Sequence, residues 1–346
     1  MSKPKQSKNN KSYDDLTSSI KSGEIGNFYI FHGEERYLLD HCLKSLRFSL
    51  CPDGLNGFNY KYYNGKDLSF EEFGDAVNTF PAFAERTMIE IHDFDLFKND
   101  DKKLFCEVFS DLPDYVCLVF VYSFIEYKPD GREKLTREIL SCANVVDFNA
   151  QEQDKLVKWI KRHFSDAGKY IGTTDAEYLA EITGGFMTTL YGEIGKIAAY
   201  STHETITRND ITAVVSPVLD TLVYNLTDAV ISRENSRALR LLDELFQMRE
   251  APHKIIYSVS LKLRQLLAAR ICLENKLGKN LLMDTCGIRH EFQANSLLKT
   301  ANKSTLSECR SAVLLCSEAA FELNSTAEPE SGIIDLVLKL TQKIKH

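Results

Sequence analysis

Charged residues interrupt every hydrophobic stretch, so the chain lacks the roughly 20 uninterrupted apolar residues that a membrane-spanning helix requires. It also lacks the basic surplus of a protein that holds nucleic acid by its phosphates. The formal net charge is −7 and the isoelectric point about 5.7, so any DNA contact has to be local or shared with partners. None of the nine cysteines (Cys42, Cys51, Cys106, Cys117, Cys142, Cys272, Cys286, Cys309, Cys316) belongs to a C-x-x-C pair. The eight histidines are scattered, with no H-E-x-x-H spacing. That pattern argues against zinc and disulfides and for reduced thiols, several of them in apolar stretches expected to be buried. No G-x-S-x-G elbow is present, and no cysteine and histidine are paired in a way that sequence can recognise. No catalytic residue, cofactor or metal is therefore expected.

The chain does have bulk and ordinary globular composition: 346 residues, 44% hydrophobic and 26% charged. That length is too great for one ordinary core and predicts two or three domains. Met1 to Ser12 carries Lys3, Lys5, Lys8 and Lys11 among polar residues, with no apolar segment to complete a signal peptide, so a cytoplasmic protein is expected. The first folded domain is expected at residue 25, which leaves 1–24 as a disordered basic tail. Over 25–149, short β-branched and aromatic runs alternate with helical patterns: Phe28 to Phe31, Phe58 to Tyr63, Thr87 to Ile91, Val116 to Tyr122 and Val145 to Phe148. The unbroken run from Val116 to Val121 suits a strand covered on both faces, and helix-length spacers imply βαβ crossovers in a parallel sheet.

From Asn149 the strand signal ends and helical periodicity takes over. Asn149 with Glu152, and Thr174 with Glu177, have the spacing of capping boxes. Gly184-Gly185 predicts a helix stop, and Leu190, Ile194, Ile197 and Ala198 follow helical spacing. A small helical domain over 150–215 results. Ser216-Pro217 reads as a cap followed by proline at the first helical position, opening an all-helical domain over 216–346. Its stripes run through Leu219, Leu222, Val223, Leu226, Ala229 and Val230; through Ala238, Leu241, Leu242, Leu245 and Phe246; and through Ile256, Val259, Leu263, Leu266 and Leu267. Further helices are expected around Ser304 to Leu323 and Ile333 to Leu340. Lys254, Lys262, Arg264 and Arg270 punctuate the third stripe and fit a solvated helix face better than a DNA-facing strip.

The strand Phe28 to Phe31 ends in His32-Gly33 and leads at once into a helix, which is where a phosphate-binding loop would sit. G-x-x-x-x-G-K-[ST] is absent: Glu34, Glu35 and Arg36 follow Gly33, and two carboxylates there would repel a triphosphate. The run Thr87 to Ile91 followed by His92-Asp93-Phe94-Asp95 superficially resembles a magnesium-holding strand end. Without a phosphate loop, Asp93 and Asp95 read better as solvated strand-end carboxylates or turn caps. The pattern is that of an ATPase architecture without its catalytic parts.

Several segments, in order along nearly the whole chain, give that pattern a family. They are Phe31-His32-Gly33-Glu34-Glu35-Arg36-Tyr37-Leu38; Phe83-Ala84-Glu85-Arg86; Val145-Val146-Asp147-Phe148; Leu156 with Trp159-Ile160; Leu190-Tyr191-Gly192-Glu193-Ile194-Gly195-Lys196-Ile197; Ile206-Thr207-Arg208-Asn209-Asp210-Ile211; and Arg237-Ala238-Leu239-Arg240-Leu241-Leu242. In order and spacing the chain resembles the δ subunits of bacterial DNA polymerase III clamp loaders. The resemblance implies an α/β plus all-α fold: an AAA+ type parallel-sheet domain, a small helical lid and a C-terminal helical collar. It further implies a non-catalytic subunit that binds the β sliding clamp and opens it for loading onto primed DNA. Its partners would be the loader's ATPase (γ/τ) and δ′ subunits. An AAA+ ATPase with an eroded phosphate loop is the alternative, and the missing lysine and glycines speak against it. A helical scaffold unrelated to replication would not explain the sheet followed by two helical domains.

The family's clamp-binding stretch corresponds here to Phe80, Pro81, Ala82 and Phe83, with Ala82 where a larger aliphatic residue is often found. Phe80 and Phe83 are either core rings under the following strand or exposed anchors for a pocket on the clamp. Pro81, which ends the helix and presents both rings, favours the anchors.

Overall fold

The computed structural model describes residues 10–51, 56–82, 84–288, 291–323 and 328–342. The chain divides into two compact units, 1–150 and 151–346. The first carries a parallel sheet of six strands: β1 (Asn10–Lys11), β2 (Phe28–His32), β3 (Tyr60–Asn64), β4 (Thr87–His92), β5 (Val116–Val121) and β6 (Asn144–Asp147), in the order β1-β6-β2-β5-β4-β3. Every residue of β5 is buried, as expected of an unbroken apolar run with helices on both faces of the sheet. Phe28, Phe73, Phe105, Phe109 and Phe120 interlock on one side, with Phe28 and Phe109 centroids 4.5 Å apart and Phe73 and Phe105 4.8 Å apart. Buried Tyr29 and Phe31 point the other way, as alternation along β2 requires.

Three local expectations need correction in this unit. Residues 10–24 are not a disordered tail. β1 pairs with β6, and Ser12 opens a helix over Tyr13–Ser22 through a capping box with Asp15. Leu16 on that helix is wholly buried, and Gly23 ends it with a φ of 80°. Residues 1–9 lie outside the described residues. The strand expected from Phe58 starts at Tyr60 instead, because Asn56–Asn59 forms one helical turn that leaves Phe58 exposed. β5 and β6 each stop one residue short of the expected Tyr122 and Phe148.

Among its described residues the second unit is helical except for one short parallel pair, β7 (Tyr170–Ile171) and β8 (Thr205–Ile206), which sequence periodicity did not announce. The helices Gln153–Asp166, Thr173–Ile182, Met187–Tyr200 and Arg208–Val214 bury Ile160, Phe164, Leu179, Leu190, Ile197 and Ile211 completely. Gly184 and Gly185 both take positive φ (73° and 77°) after the second of these helices, as the glycine pair predicted.

Three caps fall elsewhere than expected. Asn149 turns its amide to Asp147, and the helix begins at Gln153. Gly172 precedes the helix holding Thr174, which therefore sits in its first turn. The helix expected at Pro217 begins at Leu219: Val218 is extended (φ −70°, ψ 156°) and caps it, its N–H bonded to the Ile182 carbonyl (3.0 Å).

The remaining helices are Leu219–Ile231, Asn235–Gln247, Pro252–Glu274, Lys279–Cys286, Glu291–Ala301, Leu306–Glu322 and Pro329–Thr341. They build two cores. One joins Leu222, Leu226, Leu242, Ile255, Val259, Cys316, Ile333 and Leu336, and the other Leu266, Leu282, Leu297 and Cys309. Seven of the nine cysteines are buried, and burial pushes the Cys117 thiol up to about 12. Among the described residues no helix is long and apolar enough to cross a membrane.

Candidate functional site

In an open parallel sheet, ligands bind outside the carboxyl ends of the strands, where the strand order reverses. Here that edge holds Gly33 after β2, Asp93 after β4, Ser123 just beyond β5 and Phe148 after β6. The chain's own backbone fills it. Phe148 donates its N–H to the His32 carbonyl (2.8 Å) and accepts the Glu35 N–H (2.8 Å). Gly33 has a φ of 129°, and a Cβ there would lie 2.4 Å from the Phe148 carbonyl oxygen. The buried Glu35 caps the helix Arg36–Leu50, accepting the Tyr37 N–H at 3.4 Å, so a carboxylate stands at the helix start where a phosphate would go. His32 stacks on Tyr127 with centroids 4.0 Å apart; burial lowers its pKa, against the opposing pull of Asp147.

Asp93 is a turn cap, one of the two roles its sequence allowed. At a φ of 56°, one carboxylate oxygen accepts N–H groups from Ser123 (2.7 Å), Phe124 (2.6 Å) and Ile125 (3.2 Å). Asp95 accepts the Phe97 N–H at 3.2 Å and pairs with Lys98. Among the described residues no group of three or more His, Cys, Asp or Glu side chains is placed to hold a metal ion.

The expected clamp-binding stretch lies at the opposite, amino edge of the sheet. The helix Phe70–Asn78, started by a capping box of Ser69 and Glu72, stops at Thr79. Phe80 follows with 75% of its surface exposed, its ring 4.9 Å from that of Tyr115, just before β5. Pro81 and Ala82 are half-buried, and Phe83 lies outside the described residues. Ala82 is held at both ends of its main chain by one side chain: its N–H donates to Asn59 Oδ1 (2.7 Å) and its carbonyl accepts from Asn59 Nδ2 (2.6 Å). Asn59 itself is 0% exposed.

Beyond the loop, Arg86 ties it down again. Its guanidinium donates to the carbonyls of Ile25 (2.7 Å), Gly26 (3.0 Å) and Val116 (3.0 Å) and to Asn27 Oδ1 (2.7 Å). The residues holding the loop thus stand just before or at the first residues of β2, β3, β4 and β5. The expected core alternative fails for Phe80, which is too exposed to be a core ring.

Neither tether was legible in the sequence. Arg86 carried a faint signal as a cation directly before an apolar strand. Asn59 carried none, since asparagine ordinarily bonds its own turn.

A buried charge cluster adjoins Asn59. Glu90, 2% exposed in the middle of β4, accepts from Arg47 (3.0 Å) and the Tyr60 hydroxyl (3.1 Å) and bonds His92 Nε2 (2.6 Å). Burial pushes the Glu90 carboxyl up, but the bonds from His92 and Arg47 outweigh it and hold it below the usual carboxylate range. Arg47 also lies 4.2 Å over the Tyr60 ring.

In the second unit the basic residues of the helix Pro252–Glu274 bond on their own helix or just before it: Lys254 with Glu250, Arg270 with Glu274, Lys262 with Gln265, and Arg264 with the Ser260 carbonyl. Large exposed apolar side chains stand on this helix, with Tyr257 62% exposed, and on the last two helices, where Leu314 is 64% and Phe321 79% exposed and Ile334 and Leu338 are partly so.

The chain is similar to known proteins along most of its length. A family model described as DNA polymerase III, delta subunit matches residues 29–149, and one for the C-terminal domain of the same subunit matches 220–340. The DNA polymerase III subunit delta of Bacillus subtilis is 22% identical over 94% of this chain and 95% of its own length. The probable DNA polymerase III subunit delta of Aquifex aeolicus is 24% identical over 80% and 81%. The solved structure of the Bacillus subtilis DNA clamp loader delta protein superposes with a TM-score of 0.67 at 20% identity, covering 96% of this chain and all of that one. At that identity the last likeness is one of fold.

Proposed function

Because the chain belongs to the DNA polymerase III delta subunit family, we propose that it is the clamp loader's non-catalytic opener, which grips the β sliding clamp through Phe80, Pro81, Ala82 and Phe83. The observation that carries this reading is Phe80, an exposed aromatic between the end of the helix Phe70–Asn78 and the tether at Ala82. An anchor already ordered in its bound position spends little of its binding energy on ordering. Seating the ring in a clamp pocket would favour the opened ring only to the extent that the open form binds better.

The filled carboxyl edge supports a subunit that leaves nucleotide hydrolysis to its neighbours. We read the first unit, with 10–24 included and running to residue 149, as the AAA+ type clamp-binding domain, 150–215 as the lid and 216–346 as the collar. The exposed apolar side chains on the last two helices supply a surface for the ATPase (γ/τ) and δ′ subunits. Primed DNA reaches the chain within that assembly, which suits a net charge of −7.

The decisive experiment is capture of the cognate β clamp by the immobilised full chain. Retention at micromolar clamp or below is expected, and its absence would sink the reading.

A further inference from the structure

We propose that Asn59 is a positioning residue for clamp binding: its buried amide fixes the main chain at Ala82 and so holds Phe80 and Pro81 in the orientation the partner meets. The inference rests on the loop reading above and goes beyond it to a residue that cannot itself touch the clamp, since Asn59 is 0% exposed.

A buried side-chain amide is unfavourable unless its oxygen and its NH₂ both find partners. Asn59 finds them in a single residue 23 positions away, at 2.7 and 2.6 Å, where most asparagines satisfy themselves within their own turn. Two bonds to one residue fix its orientation as well as its place, which one bond would not. Asn59 is itself well held. The Cys51 thiol donates to its carbonyl at 3.1 Å, and the next residue, Tyr60, is locked into the Arg47–Glu90 cluster. Ala82 is thereby part of the rigid sheet edge. Phe80, two residues earlier, lies against Tyr115 and can be offered to a pocket with its ring already placed. Removing the amide leaves every clamp-facing atom present and removes the order that makes them a site.

The test is a double-mutant cycle on the full chain, read as clamp affinity by surface plasmon resonance with melting followed in parallel. Phe80→Ala is expected to weaken binding about 30-fold or more, and Asn59→Ala about 10-fold. In the Phe80→Ala background, Asn59→Ala should add little, because its effect passes through the anchor. A merely structural asparagine would lower the melting temperature and leave the affinity of the folded protein, and the additivity, untouched.

If Asn59→Ala does not fold, Asn59→Leu fills the same space without either hydrogen bond and is expected to give the same non-additive loss. Unchanged binding by Phe80→Ala overturns the loop reading itself. Weakening by Phe80→Ala but not by the Asn59 variants, or fully additive losses, overturns only the positioning role. Amide exchange on the parent chain gives an independent check: an Ala82 N–H that exchanges as fast as an open loop amide also overturns it.

Discussion

Truncating Phe80 to alanine separates an interface anchor from a core ring, because the two roles predict opposite results in two assays. A phenylalanine side chain offers about 150–250 Å² of apolar surface. With 75% of Phe80 exposed in the free protein, seating it in a pocket would remove about 110–190 Å² from water, a gain of about 3–5 kcal/mol at 25 cal/mol/Å². Part of that gain offsets ordering at the interface. The expected loss on truncation is therefore about 2–4 kcal/mol, or about 30- to 1000-fold in Kd.

On the folding side, the chief loss is an aromatic contact with Tyr115, worth about 1 kcal/mol and so a shift of only a few degrees in Tm. Phe73 is the control. It lies on the preceding helix, is 0% exposed, and packs on Phe105, so Phe73→Ala should cost about 3–5 kcal/mol of stability. Surface plasmon resonance against the clamp and differential scanning calorimetry read the two quantities. Added salt should leave the ratio of parent to variant affinities nearly constant, since an apolar anchor is not screened. An unchanged Kd, or a melting drop as large as that of Phe73→Ala, would refute the argument.

Glu90→Gln breaks the buried cluster with Arg47 and His92 and should cost about 3 kcal/mol at neutral pH in a denaturant titration. Because the folded Glu90 pKa is depressed, its contribution is complete above the unfolded value of about 4.3 and fades as pH falls through the folded one. The gap between parent and variant should therefore close on acidification, and a gap that widens would contradict the sign. Gly33→Ala should destabilise by more than about 2 kcal/mol, from its positive φ and the crowding against Phe148; a neutral result would mean that the turn is looser than described. Calorimetric titration of the isolated chain with ATP and magnesium should give no saturable heat at micromolar nucleotide, and such heat would revive the eroded-ATPase alternative. Leu314→Glu combined with Phe321→Glu should weaken co-elution with the ATPase subunits while melting and clamp binding persist, and intact assembly would move that surface elsewhere.

The sheet was legible because its strands are apolar runs bounded by polar turns, and the run Val116 to Val121 announced a central strand outright. The long helices of the second unit were legible for the same reason: stripes such as Leu222, Val223 and Leu226 bury one face. Their starts were not. Asn149, Thr174 and Ser216 all have capping chemistry, yet the helices begin after Glu152, Gly172 and Val218. Ser12 caps a helix inside a segment whose lysines suggested a tail, because composition hid the burial of Leu16. The exposure of Phe80 could be read from its place beside Pro81. The residues that hold the loop could not, since Asn59 and Arg86 work through contacts that span 23 and about 60 positions.

The lacing of Phe148 to the turn at Gly33 bears on how such a chain can change over generations. Point substitutions that wrote a phosphate-loop sequence into residues 33–40 would not create a cradle, because the space is taken by the main chain that leaves β6. Vacating it would mean moving β6, an interior strand flanked by β1 and β2. Each intermediate on that route would lose pairing on both sides before it gained anything. The arrangement works as a ratchet: a lineage that has closed this edge with its own backbone has the way to a phosphate loop barred by the fold.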